Sequence, residues 1–126
     1  MAGTQAEKVA RQYLDGLNAL DVDAVIAVFS SDAVIRYPGL GVTDREGFRA
    51  YLGQVKSVLS AFRIDDHALF STDQGAAAHW SFDAKLNNGR SARCEGIDSW
   101  VVSPDGRIQV MDVYYDPSPL QAALQG

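Results

Sequence analysis

AAAHWSFDAKL (residues 76–86), NNG (87–89) and RSARCEGIDSWVV (90–102) form a continuous run in which side chains alternate at a period of two. That period marks half-buried strands, because successive side chains leave a strand on opposite faces. Ala76, Ala78, Trp80, Phe82, Ala84 and Leu86 share an apolar face, opposite Ala77, His79, Ser81, Asp83 and Lys85. After the Asn87-Asn88-Gly89 turn, Ala92, Cys94, Gly96, Trp100 and Val102 share a face, opposite Arg93, Glu95, Ile97, Ser99 and Val101. Residues 62–70 and 107–115 are also strand-like. Asp73-Gln74-Gly75 and Pro104-Asp105-Gly106 supply the remaining turns, so antiparallel hairpins follow.

Upstream of this run the period is helical. Thr4 and Glu7 are spaced as a capping box, ahead of Val9, Tyr13, Gly16, Leu17 and Leu20 on one face. Asp21 can cap a short second helix carrying Val22, Val25, Ile26 and Phe29. Thr43 and Glu46 form another capping pair, followed by an apolar stripe of Phe48, Tyr51, Leu52, Val55, Val58, Leu59 and Phe62, expected as core. Between the second and third helices, Ala33 to Tyr37 reads as a short strand ended by Pro38-Gly39. Helices first and strands second predict an α+β fold, with three N-terminal helices packed on one face of a curved antiparallel sheet.

The 126 residues are expected to form one domain, residues 1–126. A net charge of −5, with no basic stripe, argues against nucleic acid as a partner. No apolar stretch reaches the ~20 residues that span a bilayer, and the polar N-terminus does not read as a secretion signal, so a cytoplasmic protein is expected. Cys94 is the only cysteine, which excludes an internal disulfide and a cysteine-based metal cluster.

One residue breaks the alternation. Asp98 falls on the face shared by Gly96 and Trp100, where lost hydration favours the protonated form of a carboxylic acid. Tyr13 is the comparable misfit of the first helix, its hydroxyl placed on the apolar side. Tyr37 stands at the end of the short strand. Two phenols and a protonated acid meeting in an apolar pocket would supply donors to a carbonyl or oxyanion. A buried acid paired with a tyrosine is also a common structural hydrogen bond, and both readings stay open at this stage.

The order and spacing of several segments resemble the nuclear transport factor 2-like superfamily, in its ketosteroid isomerase and polyketide-cyclase-like (SnoaL-like) branch. They are RQYLDGLNA (11–19), DVDAVIAVF (21–29), Asp32-Ala33-Val34, Pro38, the helix after Thr43, Gly96-Ile97-Asp98 and the Pro104 turn. The resemblance implies a cone-shaped α+β barrel around an apolar pocket. In ketosteroid isomerases a helix-1 tyrosine and a strand aspartic acid form the oxyanion hole, positions matched here by Tyr13 and Asp98. Their carboxylate base precedes the proline of the short strand. Tyr37 stands there instead, and a phenol with an ordinary pKa near ~10 is a poor base at neutral pH. Ordinary ketosteroid isomerase activity is therefore not expected. The epoxide-hydrolase pattern of Arg, Asp and Asp is also absent, its nearest positions being His79, Ser81 and Val113.

What the resemblance leaves is a cofactor-independent isomerase, cyclase or dehydratase acting on a hydrophobic carbonyl compound of polyketide or steroid type. Asp98 would be the acid or oxyanion donor, with Tyr13 and Tyr37 orienting the substrate. Phe29, Trp80, Phe82, Trp100, Met111 and Tyr115 would wall the pocket. A non-catalytic binder of a hydrophobic ligand is the alternative, as is an association domain. A homodimer through the outward sheet face, with Ile97, Val101 and Tyr114, is compatible with all three. His79 is on the polar face, where solvent or a dimer contact is expected. Asp66 and His67 are adjacent in a strand, point to opposite sides and cannot chelate together, and no metal site is expected. Cys94 reads as a small core residue and Gly39-Leu40-Gly41 as a turn. Asp112 reads as outward-facing.

Overall fold

A computed structural model describes residues 4–125. Its elements run α1 (Gln5–Asn18), α2 (Val22–Ala27), β1 (Phe29–Tyr37), β2 (Gly41–Thr43), α3 (Arg45–Val58), β3 (Leu59–Ser71), β4 (Gly75–Leu86), β5 (Ser91–Val102), β6 (Ile108–Tyr115) and α4 (Ser118–Gln125). The fold is α+β, as the change of period predicts. The six strands make one curved sheet in the order β2-β1-β6-β5-β4-β3, with β2 and β3 as free edges, so the barrel expected from the resemblance is not closed. Nor is the sheet purely antiparallel. β1 enters beside β6 in parallel, pairing Val34 with Val110 and Ile35 with Met111.

Local chemistry explains most boundaries. Thr4 accepts the Glu7 N–H, Asp21 accepts the Ala24 N–H and Asp44 accepts the Gly47 N–H, each satisfying an orphan donor of a first helical turn. The third cap is thus Asp44, one residue after the expected Thr43. The third helix also stops at Val58. Leu59 and Phe62, assigned by period to its stripe, already belong to β3, and Phe29 belongs to β1 rather than α2. An apolar run crossing from helix to strand carries no mark of the junction, because both periods are satisfied there for a few residues. β1 likewise begins earlier than expected, at Phe29.

Two elements are additional to the sequence reading. β2 is a three-residue edge strand. α4 carries the buried Leu120 and Ala123 onto the sheet, and Asn88 donates to the Ala123 carbonyl at 2.9 Å. Its signals are Asp116, which accepts the Ser118 N–H, and Pro119 in the first turn, followed by apolar residues at i+1, i+4 and i+5.

α1 is fixed across the sheet at two points. Arg11 makes a bidentate pair with Asp66 at 2.6 and 2.9 Å. Asn18 exchanges two hydrogen bonds with the Ile64 backbone, donating at 2.9 Å and accepting at 2.7 Å. Ile64 lies on the edge strand β3, so the Asn18 amide takes the place a seventh strand would otherwise fill. Between these clamps Tyr13 is pressed onto Phe29 and Trp100, with ring centroids 5.9 and 5.8 Å away.

Candidate active site

The sheet alternation places its inward residues as the sequence predicts. Ala76 to Leu86 and Ala92 to Val102 are buried at every second position except the half-buried Gly96, and Asp98 is among them at 2% exposure. Asp98 lines a cavity together with Tyr13, Leu17 and Val25 from the first two helices and Tyr51, Leu52 and Val55 from α3. Tyr37, Phe62, Trp80, Phe82, Val113 and the α4 residue Leu120 complete the wall, and Asp21 and Lys56 are its other charged residues. The cavity is about 70 Å³ and opens toward solvent. It is a narrow, mostly apolar slot between the helices and the sheet.

Within this slot Asp98 is poorly satisfied. Burial pushes its carboxyl up to about 7. The Trp80 indole N–H opposes that rise without being aligned for a hydrogen bond, and Asp98 Oδ1, Trp80 Nε1 and Trp100 Nε1 are all without partners. A buried acceptor left unpaired costs stability and awaits a donor. Tyr13 adjoins it: burial first, then the Asp98 charge, holds its phenol well above the ordinary range. Burial also raises Tyr37, Tyr51 and Tyr115, Tyr37 and Tyr115 strongly.

Three tyrosines form a second group. The Tyr37 ring is 5.1 Å from Tyr51 and 5.9 Å from Tyr115. The Tyr115 and Tyr37 hydroxyls hold back the rise at Tyr51, and Tyr37 does likewise at Tyr115, so the three phenols act on one another across the Tyr37 ring. Gly96 makes room for this packing. A Cβ there would come within 2.4 Å of the Tyr114 carbonyl oxygen and 2.6 Å of the Tyr115 Cβ. Trp80 and Tyr115 close over the gap with rings 5.6 Å apart.

The structure brings together Asp98, Tyr13, Tyr37, Trp80 and Phe82 around the cavity, and Tyr115 stands against Trp80, Phe82 and Tyr37. Tyr115 does not itself border it, and nor do Phe29, Trp100 and Met111. These last three are at 1% exposure or less, and Phe29 and Trp100 pack directly against Tyr13. Alternation reports that a side chain points inward but not how far in the cavity reaches. Conversely, the α3 stripe is not core. Phe48 alone is buried, while Tyr51, Leu52 and Val55 are half-exposed and face the slot. An apolar helix face looks the same in sequence whether it meets a core or a cavity, so Tyr51 carried no separate signal.

The remaining candidates lie elsewhere. A bulge in β3 between Asp66 and Ala68 turns His67 to the outer face, where it is 2.8 Å from Ser81 Oγ. His79 is on that same face, 2.6 Å from Glu95. Asp112 also faces outward, paired with Arg36 at 2.9 Å across the β1–β6 ladder. Cys94 is buried. Among the described residues no three His, Cys, Asp or Glu are grouped to hold a metal ion, and no helix is long and apolar enough to cross a membrane.

Helices covering one face of a curved sheet, with an unpartnered carboxyl at the bottom of an apolar slot between them, define the cone-like α+β class of the nuclear transport factor 2-like superfamily. The chain belongs to the SnoaL-like domain family of that superfamily, which it matches over residues 10–111. No match is found among the curated proteins. Among solved structures it is similar to TerC, co-crystallised with polyporic acid, at a TM-score of 0.82 and 16% identity, over 98% of this chain and 100% of that one. It is also similar to SalBIII, an epoxide hydrolase/cyclase-like enzyme of pyran ring formation in the polyether salinomycin, at 0.78 and 20%, over 91% and 93%. A protein from Shewanella denitrificans described as a SnoaL-like polyketide cyclase superposes at 0.79 and 14%, over 95% and 96%. At such identities the likeness is one of fold.

Proposed function

We propose that the chain is a cofactor-independent isomerase, cyclase or dehydratase acting on a hydrophobic carbonyl compound of polyketide or steroid type. The observation that carries this reading is Asp98: buried, unpartnered and poised near 7 at the base of an apolar slot. A group that titrates near the working pH both takes and returns a proton without a large free-energy gap, which general acid–base catalysis requires. Val113 occupies the slot where the epoxide-hydrolase pattern places a carboxylate, so proton transfer within a carbonyl compound suits the wall better than water activation at an epoxide.

Turnover is to be assayed on enolisable aryl ketones and polyketide-like diketones. Asp98→Asn is expected to lower kcat by ~10²–10⁴-fold while ligand affinity changes only a few-fold. Wild-type kcat/KM is expected to bend near pH 7, a bend absent from the variant. Ligand binding with no turnover in the wild type would make the chain a binder of a hydrophobic small molecule instead.

A homodimer is part of the proposal. Phe70, Ile97, Val101 and Tyr114 are exposed on the outer sheet face, an apolar group that a second copy would cover. Light scattering is expected to give twice the monomer mass, and Ile97→Lys the monomer; a wild-type monomer would overturn the dimer. A cytoplasmic setting accords with the free thiol of Cys94.

A further inference from the structure

The slot presents two chemically different stations. One is the Asp98 carboxyl with Tyr13 beside it, on the Trp100 side of the cavity. The other is the trio Tyr37, Tyr51 and Tyr115, drawn from β1, α3 and β6. Tyr37 and Tyr51 reach the cavity, and Tyr115 backs them. We infer that the tyrosine trio is the oxyanion site and that Asp98 is the base, so that the ligand is a planar phenol, enol or enolisable aryl ketone with its oxygen on Tyr37 and Tyr51. This polarity is the reverse of the one implied by the isomerase resemblance, which puts the oxyanion on Tyr13 and Asp98 and the base at position 37. The inference rests on the proposed function for its catalytic meaning, but as a binding site it stands alone.

Three observations carry it. The first is donor supply. A phenol has one O–H to give and two lone pairs to accept, so three gathered hydroxyls can turn two donors toward an incoming oxygen while the third supports them. The second is constancy of charge. Burial keeps all three phenols protonated throughout the range in which Asp98 titrates, so the trio remains a donor set when the carboxyl changes charge. The third is repulsion. The Asp98 charge is the second influence on Tyr13, the last on Tyr37, and absent from those on Tyr51 and Tyr115, so a phenolate ligand held at the trio meets less like charge than one beside an ionised Asp98.

The proton balance is closed. The Asp98 carboxylate takes a proton from the carbon next to the carbonyl. The C–H bonding pair becomes the enolate, and its negative oxygen accepts from Tyr37 and Tyr51. Asp98, now protonated, returns the same proton to another carbon of the conjugated system, or to a departing hydroxide to release water. No oxidant, reductant or cofactor is needed.

The test uses 2-naphthol, whose anion absorbs at longer wavelength than the neutral form. It is titrated into the full chain below the pKa of free naphthol, with thermal shift run in parallel. The wild type is expected to bind a substantial fraction as naphtholate. Asp98→Asn and Tyr13→Phe are expected to keep that fraction, and Tyr37→Phe and Tyr51→Phe to lower it by about 10-fold, the order expected when one donor to an oxyanion is removed. All three phenylalanine variants retain ring packing, and an unchanged thermal midpoint without ligand confirms the fold. Loss of the anion in Asp98→Asn and Tyr13→Phe with none in the Tyr37 and Tyr51 variants would overturn the inference, as would naphthol that fails to bind or binds only neutral. Naphtholate held by the trio in a protein that turns over no ketone would overturn the proposed enzyme and leave the oxyanion site standing.

Discussion

Asp98 is a liability to the fold whenever it is ionised. Its carboxyl is raised from an ordinary 3.8 to about 7 by burial. Well below pH 4 both folded and unfolded chains carry it protonated, and ionisation adds no cost. Between pH 4 and 7 the unfolded chain loses the proton while the folded one keeps it, so stability falls as pH rises and levels off above 7. Asp98→Asn removes the titration. The variant is therefore expected to be more stable than the wild type at pH 8, by roughly 2–4 kcal/mol, with the gap closing toward pH 4. Urea unfolding at the two pH values measures this, and an equal gap at both would contradict it. Asp98 and Tyr13 were legible in the sequence because each is a polar group on an otherwise apolar face of clear period. Tyr51 was not, since an aromatic residue on an apolar helix face is the expected residue there. Phe29, Trp100 and Met111 point inward but do not border the cavity, because period says nothing of depth.

The helices depend unequally on their attachments. α1 carries Tyr13 and is held to β3 by the Arg11–Asp66 pair and by Asn18 on the Ile64 backbone. The arginine pair is largely solvated, with Arg11 at 46% side-chain exposure, and such pairs contribute ~1 kcal/mol or less. Asn18 instead satisfies a donor and an acceptor of a free strand edge. Asn18→Ala is expected to cost about 1–3 kcal/mol and Arg11→Ala under ~1 kcal/mol, both readable by denaturant unfolding. Equal losses would mean that the edge contact is replaceable by water. At this scale the sequence located α1, α2 and the hairpins through caps and turns, which are local chemistry. The α3–β3 junction was misplaced because one apolar stripe runs through it. The Arg11 and Asn18 clamps link partners 55 and 46 residues apart, so no window of sequence contains both.

Across the whole molecule, the alternating hairpins and the preceding helices made the α+β class readable, and the resemblance made the cavity expected. The place of β1 was not readable. Consecutive strands β3 to β6 pair as neighbouring hairpins whose turns announce them, whereas β1 passes over four intervening strands to lie beside β6. Nothing in a period of two distinguishes that partner from another.

That long-range pairing also orders events in time. The Arg36–Asp112 contact spans 76 residues. Closing so large a loop costs about 2–3 kcal/mol more than closing a hairpin, so the β3–β6 meander has the entropic advantage and β1 arrives after it. Trp80 and Trp100 lie in the meander, but Tyr37 rides on β1. In refolding, the tryptophan signal is accordingly expected to recover before the ability to hold a ligand, and stopped-flow experiments with both readouts separate the two; simultaneous recovery would show that the sheet condenses in one step. On the proposed chemistry, a refolding chain would thus carry its proton acceptor before its oxygen clasp, and remain idle until its last strand had found its first.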